Sequence, residues 1–208
     1  MIELYTWKTS NGRKASVMLE ECGLPYNLHP IDIGKDAQFT PEYVRINPNS
    51  KIPAIVDTDG PGGKPYTVIE SGAILMYLAE KTGKFMPKDT AGKYEVIQWL
   101  MFQMGGVGPN FGQAHHFRRA APEQVPYAIK RYTDETRRLW GVMDGRLSDN
   151  EWLAAGQFSI ADIAVFPWAM RYEWQGIALE EFPNVKRWHD TVAARPGVKR
   201  GLAAQVPG

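Results

Sequence analysis

Lys51-Ile52-Pro53-Ala54-Ile55-Val56-Asp57, followed a turn later by Tyr66-Thr67-Val68-Ile69-Glu70-Ser71-Gly72-Ala73-Ile74, decides how this 208-residue chain folds. Residues 52–56 are an apolar run rich in β-branched side chains, a strand that opens at a proline, where no ladder donor is lost. Asp57 to Pro65 is dense in Gly and Pro and reads as a loop joining two antiparallel strands. Tyr66 to Ile69 is the short return strand. Ser71 to Lys81 is a helix with Ile74, Tyr77 and Leu78 on one side, closed by Gly83.

Toward the N-terminus the pattern alternates. Thr40-Pro41-Glu42 reads as a helix start, Thr40 capping and Pro41 in the first helical position. Ala15, Met18, Leu19 and Cys22 recur at i, i+3, i+4, i+7, one apolar stripe on a helix that ends at Gly23, with Pro25 preventing its resumption. Strands are expected on either side, Ile2–Tyr5 and Tyr26–Ile31. The crossover between them is too long for a hairpin and argues for parallel pairing. The resulting β-α-β-α-β-β-α order is thioredoxin-like. After Pro87 the pattern is helical only: Tyr94–Met104, Gln124–Leu147, Ser159–Tyr172, and a last helix carrying Val185, Trp188 and Val192. The expected division is an α/β thioredoxin-like domain over residues 1–84, a linker over 81–89 and an all-α domain over 90–208. Gly105-Gly106-Val107-Gly108-Pro109 lacks the preceding strand and the Gly-Lys-Ser/Thr of a phosphate loop, and reads as a helix break. In Phe158-Ser159-Ile160-Ala161-Asp162-Ile163, Ser159 and Asp162 form a capping box, a structural device with no catalytic part for Asp162.

Composition sets the outer limits. Hydrophobic residues make up 44% and charged residues 23%, ordinary globular proportions. A formal net charge of +1 gives no reason to expect nucleic acid or an anionic membrane as partner. One cysteine, Cys22, rules out an internal disulfide framework and fits a reducing compartment, so a soluble cytoplasmic protein is expected. The four histidines are not grouped at ligand spacing, and no metal is expected.

Three places can carry chemistry. If the Ile52–Pro53 bond is cis, the backbone of Ile52 is exposed and can pair with an extended peptide as an added strand; the other reading is a trans proline that merely starts a strand. Glu70-Ser71 stands where a strand hands over to a helix. The helix N-terminus suits a ligand carboxylate and Glu70 can take an ammonium; alternatively Ser71 is only a cap. Together these would hold an α-amino-acid head group and a short peptide backbone, which is what γ-Glu-Cys-Gly presents. Thirdly, Thr9-Ser10-Asn11 precedes the first helix, where a thiolate is favoured, although capping by Ser10 or Asn11 is the commoner use of such residues. Cys22 lies in the apolar stripe and reads as core. His115, His116, Arg118 and Arg119 read as a solvated basic run, and Arg131 can reach a ligand carboxylate or face solvent.

With Ile52-Pro53, Glu70-Ser71-Gly72-Ala73-Ile74 and Ser159-x-x-Asp162 in this order, the chain resembles the cytosolic glutathione transferases over essentially its whole length. It is more similar still to the bacterial nu class, the disulfide-bond oxidoreductases related to the yeast nitrogen-regulation prion protein. The residues that carry this are Thr9-x-Asn11-Gly12, Gly34-Lys35-x-x-Gln38-Phe39, Asn49-x-Lys51-Ile52-Pro53 and Gln113-x-His115-His116-Phe117 with Pro126-Tyr127-Ala128-Ile129. The turn Lys8-Thr9-Ser10 departs from the class in lacking prolines. The resemblance implies a homodimer. It implies that Glu70 and Ser71 hold the γ-glutamyl end, that Ile52 pairs with the cysteinyl backbone, and that Asn11, Gln38 and Arg131 bind glutathione or its disulfide. Thr9 and Asn11 match the place where the ligand sulfur is met. It further implies glutathione-dependent reduction of disulfides with weaker transfer to electrophiles; the alternatives are a conventional conjugating transferase and a non-catalytic glutathione-binding regulator.

Overall fold

The computed structural model describes residues 1–204. The chain forms two compact units, Met1–Lys84 together with the chain from Ala194, and Phe85–Ala193.

In the first unit β1 (Ile2–Thr6), α1 (Ser10–Cys22), β2 (Tyr26–Pro30), α2 (Pro41–Ile46), β3 (Ala54–Asp57), β4 (Tyr66–Ile69) and α3 (Ser71–Thr82) build one four-stranded sheet in the order β2-β1-β3-β4. β1 and β2 are parallel, and β3 is antiparallel to both β1 and β4. Successive side chains on a strand point to opposite faces, so Ile2, Leu4 and Thr6 are buried while Tyr5 turns to the other face, stacked on His29 and tilted against Tyr43 of α2. α1 buries its stripe of Ala15, Met18, Leu19 and Cys22. It stops at Gly23, whose φ of 71° is the left-handed conformation that glycine adopts without penalty.

Several expected boundaries shift. β3 begins at Ala54 and runs to Asp57, so Pro53 stands outside the ladder in a cis bond with Ile52. The cap of α1 is neither Ser10 nor Asn11 but Thr9, whose Oγ1 accepts from the Gly12 N–H at 3.0 Å. Ser10 is buried inside the first turn. Thr40 caps α2 as expected, accepting from the Tyr43 N–H at 3.4 Å with Pro41 behind it.

The second unit is helical: α4 (Thr90–Phe102), α5 (Gly108–His115), α6 (Pro126–Ser148), α7 (Ile160–Ala169), α8 (Tyr172–Gln175) and α9 (Pro183–Ala194). Its core is aromatic. Phe111 stacks on Trp140, and the Trp140 indole N–H donates to Gln175 Oε1 at 2.7 Å, so the buried ring leaves no polar group unanswered. The capping box forms as read: the Ser159 N–H donates to Asp162 at 2.9 Å, and the Ser159 side chain caps α7. The same fully buried carboxylate accepts from the Leu153 N–H at 3.1 Å and the Trp188 indole at 2.8 Å, and is spent on structure. The glycine run does not break the helix. The backbone stays right-handed through a wide π-type turn at Gln103–Val107 and continues into α5. A Cβ on Gly108 would lie 2.8 Å from the Gln103 Nε2 and 3.3 Å from the Gln103 carbonyl oxygen, so the turn packs closely at this glycine.

A further helix, α10 (Pro196–Ala203), belongs to the first unit and packs on α1. Glu21 is its anchor: it accepts from Arg195 at 2.7 Å and from the Val198 N–H at 3.1 Å. The helices approach so closely that a Cβ on Gly201 would lie 2.4 Å from the Val17 Cα, and the Ser16 hydroxyl donates to the Gly201 carbonyl at 2.7 Å. Gly201→Ala is therefore expected to destabilise the fold by about 1–3 kcal/mol, since backbone cannot yield as a flexible side chain does. Urea denaturation checks this; a gain in stability, as an exposed helical Gly→Ala would give, contradicts the close packing.

Candidate functional site

The sheet register brings the expected site residues to one edge. Tyr5 pairs with Ala54 and Ala54 with Ile69, so the three stand abreast. The next residues outward are Thr6 at the end of β1 with Trp7 to Thr9 after it, Ile52-Pro53 before β3, and Glu70-Ser71 after β4. β2 ends at Pro30 opposite Thr6, so the short helical turn Ala37–Phe39, carrying Gln38, follows from the same edge. The strand ends thus bring Thr9, Asn11, Ile52, Glu70 and Ser71 to one end of the sheet, while Gln38 lies farther along the chain that leaves β2 from that end. Arg131 stands in the second unit, on α6, where it lines a cleft of about 710 Å³ with Asn110, Tyr127 and Arg138.

The loop before Pro53 is tied down by its own main chain. The Lys51 carbonyl accepts from the Tyr43 hydroxyl at 2.6 Å and from Asn47 Nδ2 at 2.7 Å, and Asn47 Oδ1 accepts the Asn49 N–H at 2.9 Å. Asn47 is buried, so this knot is shielded from water. Ile52 follows it half-buried, with its N–H and C=O outside the sheet ladders and joined to no backbone group among the described residues. A free donor and acceptor on a fixed strand approach is what an added strand requires.

Glu70 is exposed and occupies the cap position of α3 without capping it. Its φ of 67° and ψ of 118° lie outside the regions that residues with a Cβ normally occupy. The Asn49 amide donates to its carboxylate at 3.5 Å. Ser71, the first helical residue, is buried, and its Oγ accepts from the Lys14 ammonium at 3.2 Å. The first N–H groups of α3 face the same corner with the positive end of the helix dipole. At the start of α1, Thr9 accepts from Gly12, which leaves its hydroxyl proton to be donated outward, and Asn11 sits in the same turn. Gln38 is half-buried with its Oε1 unpartnered among the described residues, an acceptor in want of a donor.

Lys14 is the residue that sequence reading missed. It is 1% exposed, and burial, offset in part by the Glu70 carboxylate, pulls its pKa down to about 7. A signal existed: position 14 lies one turn before Met18, which places a lysine on the apolar stripe. Cys22 is buried at the far end of α1, its Sγ 3.6 Å from the Thr82 hydroxyl, and burial raises its pKa, so it is a core thiol. Of the basic run, His116, Arg118 and Arg119 are exposed as read, and His115 is the exception. The His115 ring stacks on Trp168 and meets Trp174 edge-on, and burial, with the Arg171 charge, lowers its pKa to about 4. Arg119 and Arg171 lie against the Trp174 ring at 4.6 and 4.4 Å. Among the described residues no three His, Cys, Asp or Glu side chains cluster as a metal site, and no helix is long and apolar enough to cross a membrane.

The low pKa of Lys14 fixes the sign of one pH effect. The ordinary lysine value of 10.5 holds in the unfolded chain and about 7 in the folded one, so between them the unfolded state binds more protons. Stability from this group therefore rises with pH across that window, by at most ~1.4 kcal/mol per pH unit. Lys14→Met should remove the rise between pH 7 and 9 in urea denaturation. Parallel stability curves for the two chains would contradict it.

Comparison with known proteins places these features. The glutathione S-transferase N-terminal domain profile matches residues 10–81, and the C-terminal domain profile residues 109–196. The chain is 49% identical over 203 residues to the disulfide-bond oxidoreductase YfcG of Escherichia coli (strain K12), covering 97% of this chain and 94% of that protein. A glutathione transferase from Burkholderia graminis, solved with two glutathione molecules per subunit, superposes with a TM-score of 0.94 at 48% identity, covering 100% of this chain and 89% of that one. One from Pseudomonas putida, solved with one glutathione disulfide per subunit, gives a TM-score of 0.92 at 43% identity, with coverage of 100% and 92%.

Proposed function

Since the chain belongs to the glutathione S-transferase family, we propose that it is a glutathione-dependent disulfide-bond reductase with a weaker glutathione transferase activity. The observation that carries this is the shared edge: an unpaired Ile52 backbone beside Glu70 and Ser71, in the spacing of an amino-acid head group followed by a peptide. The γ-glutamyl carboxylate lies on Ser71 and the first N–H groups of α3, its ammonium on Glu70, and the cysteinyl N–H and C=O on Ile52. Gln38 Oε1 accepts from the peptide and Asn11 adds to the hold of the first unit; Arg131 is proposed, on the family resemblance alone, as a further residue that binds glutathione or its disulfide. The disulfide-bond oxidoreductase relative and the glutathione ligands bound in the solved relatives support this reading.

In the reaction, the thiolate of bound glutathione attacks one sulfur of a small disulfide. A mixed disulfide forms and the second sulfur leaves as a thiolate that takes a proton. A second glutathione thiolate then attacks the glutathione sulfur of the mixed disulfide, giving glutathione disulfide and the second reduced thiol. Two glutathiones are oxidised, and both thiols come from the substrate. The protein aligns the sulfurs and lowers the cost of a thiolate through the Thr9 hydroxyl, Asn11 and the N-terminus of α1. Conjugation uses the same thiolate against an electrophilic carbon. The first unit binds glutathione and the helical unit offers the surface for the second substrate. We place the protein in the cytoplasm and expect a homodimer. Trp99 and Phe102, half-buried on α4, are the aromatic candidates for that contact, whereas Phe111 is fully buried within its own unit.

Two substitutions test the assignment. Glu70→Ala should weaken binding of glutathione and its disulfide by about 1.5–3 kcal/mol, the loss of a charge-assisted hydrogen bond; unchanged affinity in calorimetry would put the head group elsewhere. Cys22→Ala should cost on the order of 1 kcal/mol of stability while the folded protein keeps its rate of glutathione-dependent reduction of a model disulfide. Collapse of that rate to background would make Cys22 the nucleophile and overturn the mechanism.

A further inference from the structure

Along the face of α1 that meets α10 the contacts come in steps. Glu21 is met by Arg195 and the Val198 N–H, Glu20 by Arg200, and Ser16 by the Gly201 carbonyl. One turn nearer the start of α1 the same face carries Arg13, but α10 ends at Ala203 without a counterpart for it. A cavity of about 240 Å³ is left there, with Trp7, Lys8, Gly12, Arg13, Ser16 and Leu202 among its walls. Arg13 is half-buried, and its guanidinium has no hydrogen-bond or ion-pair partner among the described residues. Burial pulls its pKa below the usual arginine value with no carboxylate nearby to offset the effect, yet a guanidinium stays charged at any physiological pH. The acids of α1, Glu20 and Glu21, are committed to α10, and Ser16 directs its proton at Gly201. The carboxyl end of α10 also borders the cavity, but its partial charge of about −0.5 is half that of the guanidinium, so the cation prevails. A half-buried charge without a counter-ion in a cavity is a place for an anion.

We infer that the cavity at Arg13 is a subsite for a carboxylate arm of the second substrate, and that Arg13 makes the enzyme prefer disulfides that carry such an arm. This rests on the reading of the chain as a glutathione-dependent disulfide reductase. Gly12 links the cavity to the reaction. It lines the cavity, and its N–H is the one that Thr9 caps at 3.0 Å. Trp7 and Lys8, which also line it, are the two residues before Thr9. Arg13 stands about one helical turn from Thr9, ~5–6 Å along the axis, a span that a short carboxyalkyl arm and the arginine side chain cover together. The cavity has room for several waters at ~30 Å³ each, and so for a carboxylate. The guanidinium fork matches a carboxylate with two parallel N–H···O bonds; a hydroxyl gains no charge from it, and an ammonium is repelled.

The test is steady-state kinetics with glutathione and three disulfides with two-carbon arms: 3,3′-dithiodipropionate, bis(2-hydroxyethyl) disulfide and cystamine, which are anionic, neutral and cationic. Each kcat/KM is divided by the uncatalysed rate constant with glutathione. Salt is held at about 0.15 M, where exposed charges more than ~8 Å apart are largely screened. Wild type, Arg13→Gln and Arg13→Lys are compared, with folding checked by circular dichroism. The wild type is expected to enhance the dithiodipropionate reaction about tenfold more than the neutral one, and the cystamine reaction least. Arg13→Gln should lower kcat/KM for dithiodipropionate by about tenfold or more, chiefly through a raised KM, and change the neutral disulfide by less than about twofold. Arg13→Lys, which keeps the charge and loses the fork, should recover part of the loss. A wild type that enhances all three reactions equally overturns the proposal even if both variants fail to fold. So does an Arg13→Gln chain that slows all three in parallel, or none of them. If the wild type reduces no disulfide with glutathione, whatever its charge, the reductase reading itself fails, and this proposal with it.

Discussion

Glu70 is fixed at φ 67° and ψ 118°, a conformation that costs a residue with a Cβ on the order of 1–3 kcal/mol. It persists because both neighbours are fixed. Below it, Ile69 is paired to Ala54 in the ladder; above it, the Glu70 carbonyl accepts the Ile74 N–H at 2.9 Å in the first turn of α3. Glycine would remove the strain at this corner, yet the position carries a carboxylate. The turn it makes is what sends the carboxylate to solvent, buries Ser71 against Lys14 and aims the free N–H groups of α3 at the same point. Each part of the proposed head-group site depends on that one pair of dihedral angles.

The rest of the edge is organised so that the corner stays put. Lys51 is held at its carbonyl by Tyr43 and Asn47, so the Ile52 backbone is presented from a fixed loop. At the opposite side of the edge, α1 begins at a Thr9 cap, and its far end carries the buried Cys22. A sulfur supplied by ligand at the N-terminal end of that helix meets the favourable end of the dipole, while the chain's own thiol lies at the unfavourable end and in an apolar setting. This layout is the physical basis for proposing that the domain does thiol–disulfide chemistry with the thiols of glutathione rather than with its own.

Much of this was legible because it is local. The order of strands and helices, the αL stop at Gly23, the Thr40-Pro41 start and the Ser159-Asp162 box each depend on residues within a few positions of one another, and each is found. What escaped depends on long-range approach. α10 is recognised in space by Gly201 against Val17 and by Glu21 on Arg195, and small residues at a close contact leave no hydrophobic stripe to read. Lys14 and Ser71 are 57 residues apart, and only the fold makes them partners. Gly105-Gly106 looked like a break because glycine disfavours helices, but a π-type turn between two packed helices accommodates it. His115 looked solvated from its charged neighbours, yet its ring is stacked among tryptophans. Of the site itself, residue types and spacing gave Ile52, Glu70, Ser71 and the Thr9-Ser10-Asn11 turn, and only the family resemblance gave Gln38 and Arg131; the register that sets the strand-end residues side by side belongs to the sheet.

The central claim is that the corner of Glu70 and Ser71 holds the γ-glutamyl end of glutathione. A crystal structure of the chain with glutathione disulfide bound tests it most directly. The account predicts one α-carboxylate within hydrogen-bond distance of Ser71 Oγ and the first N–H groups of α3, its ammonium on Glu70, and the adjoining cysteinyl N–H and C=O paired with Ile52. A disulfide whose two γ-glutamyl ends both lie away from this corner, for instance wholly within the cleft along α6, would contradict it.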